Sequence, residues 1–189
     1  LEGLAANVTR WWDPRPILHK VTPDELAGHI ASLPADVPDV ESDQLRSALY
    51  SHSPNALLAA ARPLLGKGTG LTPESDDYLA GALASIRLLS EALDHEQATR
   101  MLDMVANPLA KLADARTTAF SAALIQYALR GQVAAPAGSL LRAFAGRGDV
   151  APAHRVLERV GHSSGPALAA GMVLGAQSLI QSFVDGGNQ

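Results

Sequence analysis

The sequence predicts an all-α fold, a single helical domain of roughly eight helices over residues 1–189, with 1–21 as an irregular lead-in segment and 22–189 as the helical core. Three observations predict it. With only two Trp, three Tyr and three Phe, the core must be built from Leu, Ala and Val, and alanine-rich chains of this kind pack as close-set helices. Leu79, Leu83, Ile86 and Leu93 recur at helical spacing. No stretch shows the alternation of a strand or a repeat of fixed period.

At 189 residues, 47% hydrophobic and 18% charged, the chain can bury one core and is short for two. A net charge of −4 without a Lys/Arg block leaves no electrostatic footprint for nucleic acid or for an anionic membrane surface. The absence of cysteine excludes disulfides, thiolate metal sites and cysteine nucleophiles, and fits a reducing, cytoplasmic location. Leu1 to Val8 is too short and too mixed for a signal peptide, and a chain opening on Leu1 instead of Met is expected to lack an N-terminal portion. The most apolar long stretch, Pro166 to Val184, carries Gln177, Ser178, Gln181 and Ser182 and reads as a buried helix in preference to a membrane span.

Taken in order, Arg10-Trp11-Trp12-Asp13-Pro14-Arg15-Pro16 cannot be regular structure, because its prolines remove donors and bias their neighbours toward extended backbone. Its tryptophans either anchor the lead-in to the core or accompany an Arg15 that faces a pocket. Thr22-Pro23-Asp24-Glu25 is a capping box that starts a helix running to about Ser32. Pro34 to Glu41 reads as an acidic surface loop, Ser42 to Tyr50 and Asn55 to Ala61 as short helices. Beyond the central helix, a polar break at Asp94 precedes a helix from about His95 to Ala106 that stops before Pro108, and Leu109 to Arg130 forms another, closed by Gly131 as a left-handed cap. Gly138 to Ala145 and Val150 to Val160 make a further pair. In the last helix Leu168, Met172, Leu179 and Phe183 mark one face, while Gly171 and Gly175 mark a second where a neighbouring backbone can approach.

Function is expected where the chain is least able to be regular. Gly66-Lys67-Gly68-Thr69-Gly70-Leu71 places three glycines at alternate positions, which neither a helix interior nor a packed strand accommodates cheaply. Thr72-Pro73 then signals a helix start, with Thr72 as N-cap. A glycine loop running into a helix N-terminus binds anions through aligned N–H groups, and Lys67 adds a full charge. The Walker pattern fails, since Lys67 is followed by Gly68 and position 61 is Ala. Glu74, Asp76 and Asp77 oppose a bound dianion and suit an ammonium, an amide or Mg2+ better. Asp76 falls on the apolar face with Leu79 and Leu83 and needs a partner there. Asp77 lies over Ala80, Gly81 and Ala84, a surface suited to close helix packing. Both carboxylates could also serve only the first turn's free N–H groups.

Gly161-His162-Ser163-Ser164-Gly165-Pro166 repeats this design at a second helix start, with Ser164 or Gly165 as the cap. His162 there is a candidate base or donor, although a lone histidine is more often structural. Thr117, Thr118 and Ser121 cluster within one turn; mid-helix hydroxyls usually bond back to the preceding carbonyls. No histidine pair has metal-ligand spacing, and no metal or other cofactor is expected.

The run Gly66 to Gly81, read as Gly-x-Gly-x-Gly-Leu-Thr-Pro-x-x-Asp-Asp-x-Leu-x-Gly, resembles the signature of a bacterial family long catalogued as a domain of unknown function, which includes the AllH subunit of oxamate carbamoyltransferase. Thr117-Thr118 with Ser121 to Leu124, Gly161 to Gly165 with Gly171, and Trp12 to Pro16 are similar to it in matching order. The family's Pro-Ser-Gly-Asp-Asp is here Pro73-Glu74-Ser75-Asp76-Asp77. The resemblance implies additional sequence before Leu1 and passage of a carbamoyl group between oxamate and phosphate, with other subunits taking part.

Three functions are therefore open. The first is a carbamoyltransferase-like subunit acting on small oxamate- or ureido-type acids, with Lys67, Gly68, Thr69, Gly70 and Thr72 binding an oxyanion and Asp76 or Asp77 orienting or deprotonating an amide nitrogen. In it His162, Ser163 and Ser164 complete the pocket, Thr117 and Ser121 contribute hydroxyls, and Asp76 and His162 should line one cavity. The second is a metal-dependent hydrolase using Asp76 and Asp77. The third is a non-catalytic module that binds a metabolite or partner subunits.

Overall fold

The computed structural model describes residues 13–37, 40 and 42–186. The expectations for Arg10, Trp11 and Trp12 lie outside them. Among the described residues the fold is all-α, with no strand: α1 (Pro23–Ile30), α2 (Asp43–Tyr50), α3 (Pro54–Leu64), α4 (Glu74–Ala92), α5 (Glu96–Arg116), α6 (Ala119–Leu129), α7 (Ala135–Phe144), α8 (Val150–Glu158) and α9 (Ser164–Gly186).

The centre is the pair α4 and α9. Every residue of α4 from Ser75 to Ser90 is buried, so neighbours surround it. A helix enclosed on all sides must offer small residues wherever another backbone comes close. A Cβ at Gly81 would lie 2.2 Å from the Leu168 carbonyl oxygen, and one at Gly171 would lie 2.0 Å from that of Tyr78. A Cβ at Gly175 would meet the Ala82 carbonyl oxygen at 2.6 Å. These contacts pair Tyr78 with Gly171 and Ala82 with Gly175, so both helices advance in the same direction and start side by side. Glycines 171 and 175 thus do what the last helix's second face predicts. Between Ser164 and Val184, α9 is long and apolar enough to cross a membrane by length and composition alone, but most of it is buried inside the fold.

Helix α6 runs parallel to α4 as well. Thr117, just before α6, bonds Asp76 near the start of α4, while the buried Arg87 Nε donates to the Leu129 carbonyl at the far end, 2.8 Å away. The two links span 41 and 42 residues, which fixes the direction. Arg87 also pairs with Asp103 of α5 at 2.8 Å, tying three helices together.

Four local expectations change. Helix α5 does not stop at Pro108 but continues to Arg116. Met104 and Pro108 are exposed, so the carbonyl that loses its donor faces water. The break comes instead at Thr117, whose backbone is extended, and Thr118, whose hydroxyl caps α6 by accepting from the Ser121 N–H. The predicted helix over 109–130 is therefore two helices, and its hydroxyls stand at a junction. At the central helix, Pro73 and not Thr72 holds the N-cap position, and Thr72 is released for another contact. The Pro34–Glu41 segment is not a surface loop throughout: Ala35, Val37 and Val40 are buried, and the Tyr78 hydroxyl donates to the Ala35 carbonyl at 2.7 Å.

The glycine contacts give a direct test. Gly171→Ala should cost about 3 kcal/mol, because two backbones must separate to admit one methyl group. Gly28→Ala, in α1 with nothing within 4 Å of its Cβ position, should gain roughly 0.5–1 kcal/mol. Thermal melting of both variants checks this; an unchanged melting point for Gly171→Ala would contradict the packing.

Candidate functional site

Three helix starts converge because α4, α6 and α9 are parallel. The meeting point is Leu71-Thr72. The Thr72 and Ser164 hydroxyls share a hydrogen bond of 2.9 Å, which joins the starts of α4 and α9. The Thr118 hydroxyl donates to the Leu71 carbonyl at 2.7 Å, which brings in the start of α6. Each helix N-terminus carries roughly half a positive charge. Together they supply the counter-charge for Glu74, Asp76 and Asp77.

The loop before α4 is wound onto the fold by its glycines. Gly66 has φ +78° and faces the Arg116 carbonyl oxygen, 2.5 Å from where a Cβ would stand. Gly68, at φ +126°, lies against the backbone nitrogen of Glu74. The Ser75 side chain, buried where the related pattern has glycine, sits between the Leu64 and Lys67 carbonyls and can donate to either. Two of the three glycines thus have a packing reason. Gly70 has open space around it.

The adjacent aspartates have different fates. Asp76 is 1% exposed, and both its oxygens are engaged: one accepts from the Gly66 N–H at 2.9 Å, the other from the Thr117 hydroxyl. It has the partners that its buried position demands, and they come from the loop and the α5–α6 junction, not from its own helix's first turn. Asp76 is a clamp.

Asp77 is 4% exposed, and its Oδ2 has no hydrogen-bond partner. Burial pushes its carboxyl up to about 6, with the Asp76 and Glu74 charges adding to the rise, while the Ser164 and Thr72 hydroxyls beside it pull the other way. It lines a half-open cavity of about 380 Å³ bordered by α4, α6, α7, α9 and the lead-in segment. The walls are otherwise mostly apolar: Ala80 and Ala84 of α4, Leu124 and Ala128 of α6, Leu168 of α9. The small-residue face around Asp77 thus divides. Gly81 packs against α9, and the alanines on either side of it leave a cavity.

Ser121 belongs to the same α6 face as Leu124 and Ala128, one and two turns before them. It is fully buried, and its hydroxyl, like Asp77 Oδ2, has no partner. The Thr72 and Ser164 hydroxyls stand beside Asp77, whereas Thr117 bonds Asp76. Lys67, Gly68, Thr69 and Gly70 are exposed on the loop, outside this cavity's walls. His162 is exposed on the α8–α9 connection beside the half-buried Ser163, and neither His162 nor Asp76 lines the cavity. Arg15 lines a different cavity, of about 350 Å³, where it pairs with Glu91. Among the described residues no three His, Asp or Glu side chains are grouped to hold a metal ion, so Asp76 and Asp77 lack a third ligand.

The cavity itself is what sequence reading misses. Pro14, Gln132 and Val133 come to line the same cavity as Asp77 only through the tertiary fold, where the Val133 N–H donates to the Pro14 carbonyl at 3.1 Å. The available signal was Ala80 and Ala84 flanking Gly81: more small residues than one helix contact needs.

A family model described as oxamate carbamoyltransferase subunit AllH matches residues 64–176. The chain belongs to the AllH family. The matched span begins at the last residue of α3 and ends within α9, so it includes the glycine loop, both aspartates, the Thr117–Ser121 junction and Ser164. No curated protein matches the chain, and no solved structure does.

The raised Asp77 pKa has a stability consequence. With the folded-state value near 6 and the ordinary value at 3.8, the stability associated with the neutral form is fully present below 3.8 and is lost as pH rises through about 6. The loss is at most about 3 kcal/mol, at about 1.4 kcal/mol per pKa unit. Asp77→Asn should therefore melt above the wild type at pH 8 and close to it at pH 4. Destabilisation at pH 8, or an equal effect at both pH values, would contradict the assignment.

Proposed function

We propose that this chain serves as a subunit of a carbamoyltransferase-type enzyme in which Asp77 takes the proton of an amide nitrogen as that nitrogen attacks a carbamoyl carbon. The observation that carries the reading is the unpartnered Oδ2 of a buried carboxyl whose pKa lies near neutrality, on the wall of a cavity. A general base is most effective when its pKa is close to the working pH and a vacant lone pair faces the donor.

The step balances with carbamoyl phosphate as donor. The amide nitrogen forms a C–N bond to the carbamoyl carbon, its proton passes to Asp77, and the C–O bond to phosphate breaks with phosphate leaving on the electron pair. The reverse direction returns the proton from Asp77 to the departing nitrogen. As charge gathers on the carbamoyl oxygen, the Thr72 and Ser164 hydroxyls and the N-termini of α4 and α9 supply donors and positive potential. Gly68, Thr69 and Gly70, with Lys67, present the exposed side of the same helix start to the anionic leaving group. Asp76 holds the loop through Gly66 and Thr117 instead of reacting. His162 and Ser163 extend the α9 start toward solvent. The family's description as a subunit supports partner chains completing the enzyme.

Activity of the assembled enzyme tests this. Asp77→Asn should lower kcat by roughly 10²–10⁴-fold and remove the rise of rate with pH centred near 6. Asp76→Asn should act mainly through lowered stability. Retained carbamoyl transfer by a folded Asp77→Asn complex would overturn the reading.

A further inference from the structure

The Asp77 cavity is large for the oxamate that the family's description names. Oxamate has about six non-hydrogen atoms, whereas cavities of roughly 300 Å³ and above are of the size that encloses drug-sized ligands. Its walls also have the wrong chemistry for a small anion. Apart from Asp77 they are formed chiefly by Ala80, Ala84, Leu124, Ala128, Val133 and Leu168. Gln132 and Tyr127 also line the cavity, but a carboxylate placed among the apolar side chains would lose water and would stand beside a second carboxylate. Water bound against the apolar walls gains little, and an apolar group that displaces it gains about 25 cal/mol for each Å² removed from solvent.

We infer that the cavity binds a carboxamide or urea whose other end is apolar, with its N–H directed at the Asp77 carboxyl and its hydrocarbon part lying between α4, α6 and α9. This rests on the proposed role of Asp77 toward an amide nitrogen and adds the rest of the molecule. An amide head fits better than an ammonium. Asp77 titrates near neutrality, so a neutral donor can be held by the carboxylate without placing a full positive charge between Leu124 and Leu168. The alanines set the available length. Ala80 and Ala84 are one turn apart on α4, and Ala128 faces them from α6.

The test is a binding series on the full chain: acetamide, propionamide, butyramide and hexanamide, with oxamate and hexylammonium for comparison, followed by calorimetry. Affinity should rise roughly fourfold per added methylene until the cavity is filled, and oxamate should not compete with hexanamide. Ala84→Leu, checked for a wild-type-like melting transition, should flatten the series, and so should Ala128→Leu. A flat series in the wild type, or hexylammonium binding more tightly than hexanamide, would overturn the inference. A flat series together with transfer activity lost in Asp77→Asn removes the apolar-substituent inference alone and leaves Asp77's role in place. A rising series with transfer intact in Asp77→Asn removes the catalytic reading on which the amide head depends.

Discussion

Everything at the proposed site depends on how closely α4 and α9 approach. Because Gly81, Gly171 and Gly175 lack side chains, the two backbones touch, and the helices share a direction and a starting level. That contact brings Ser164 to Thr72 and encloses the first turn of α4. Were the helices pushed apart by a few ångströms, Asp77 would be solvated and its carboxyl would return toward the ordinary range. The packing of the core and the tuning of the carboxyl are the same constraint seen from two sides.

Electrostatics then distributes the labour. Three carboxylates within four residues would repel one another in an isolated helix, but three helix N-termini face them here, and each contributes partial positive charge. Asp76 consumes a backbone N–H and a hydroxyl and becomes the fastening between the glycine loop and the α5–α6 junction. Asp77 receives hydroxyl neighbours on one side and hydrocarbon on the other. The same sequence dipeptide therefore yields one carboxylate with both oxygens engaged and one with an unpartnered oxygen, separated only by the 100° of helix rotation between neighbours. The glycine loop, which composition alone would make a phosphate cradle, spends much of its backbone on this fastening.

Much of this was legible in the sequence. The helical class follows from aliphatic spacing, the α4 start from the glycine loop and Thr72-Pro73, the close approach from Gly171 and Gly175, and the need of Asp76 for a partner from its place beside Leu79. The second helix start at Ser164 is legible as well, because it repeats the first. What sequence hides is long-range assembly. Thr117 reads as a mid-helix residue because nothing local marks Thr118 as a cap, and Pro108 reads as a stop because its exposure is not visible in one dimension. The cavity has contributions from the lead-in, four helices and a connecting segment, so no spacing rule could reveal it. The family match spans the loop, the junction and the α9 start, and the geometry shows where they meet.

The central claim is that Asp77 is a buried carboxyl poised near neutrality. Selective carbon-13 labelling of aspartate carboxyls, with Asp77→Asn to assign the resonance, would measure it directly by NMR titration of the folded protein. The account predicts a midpoint near pH 6 for Asp77. A midpoint near the ordinary aspartate value of about 3.9 would contradict it.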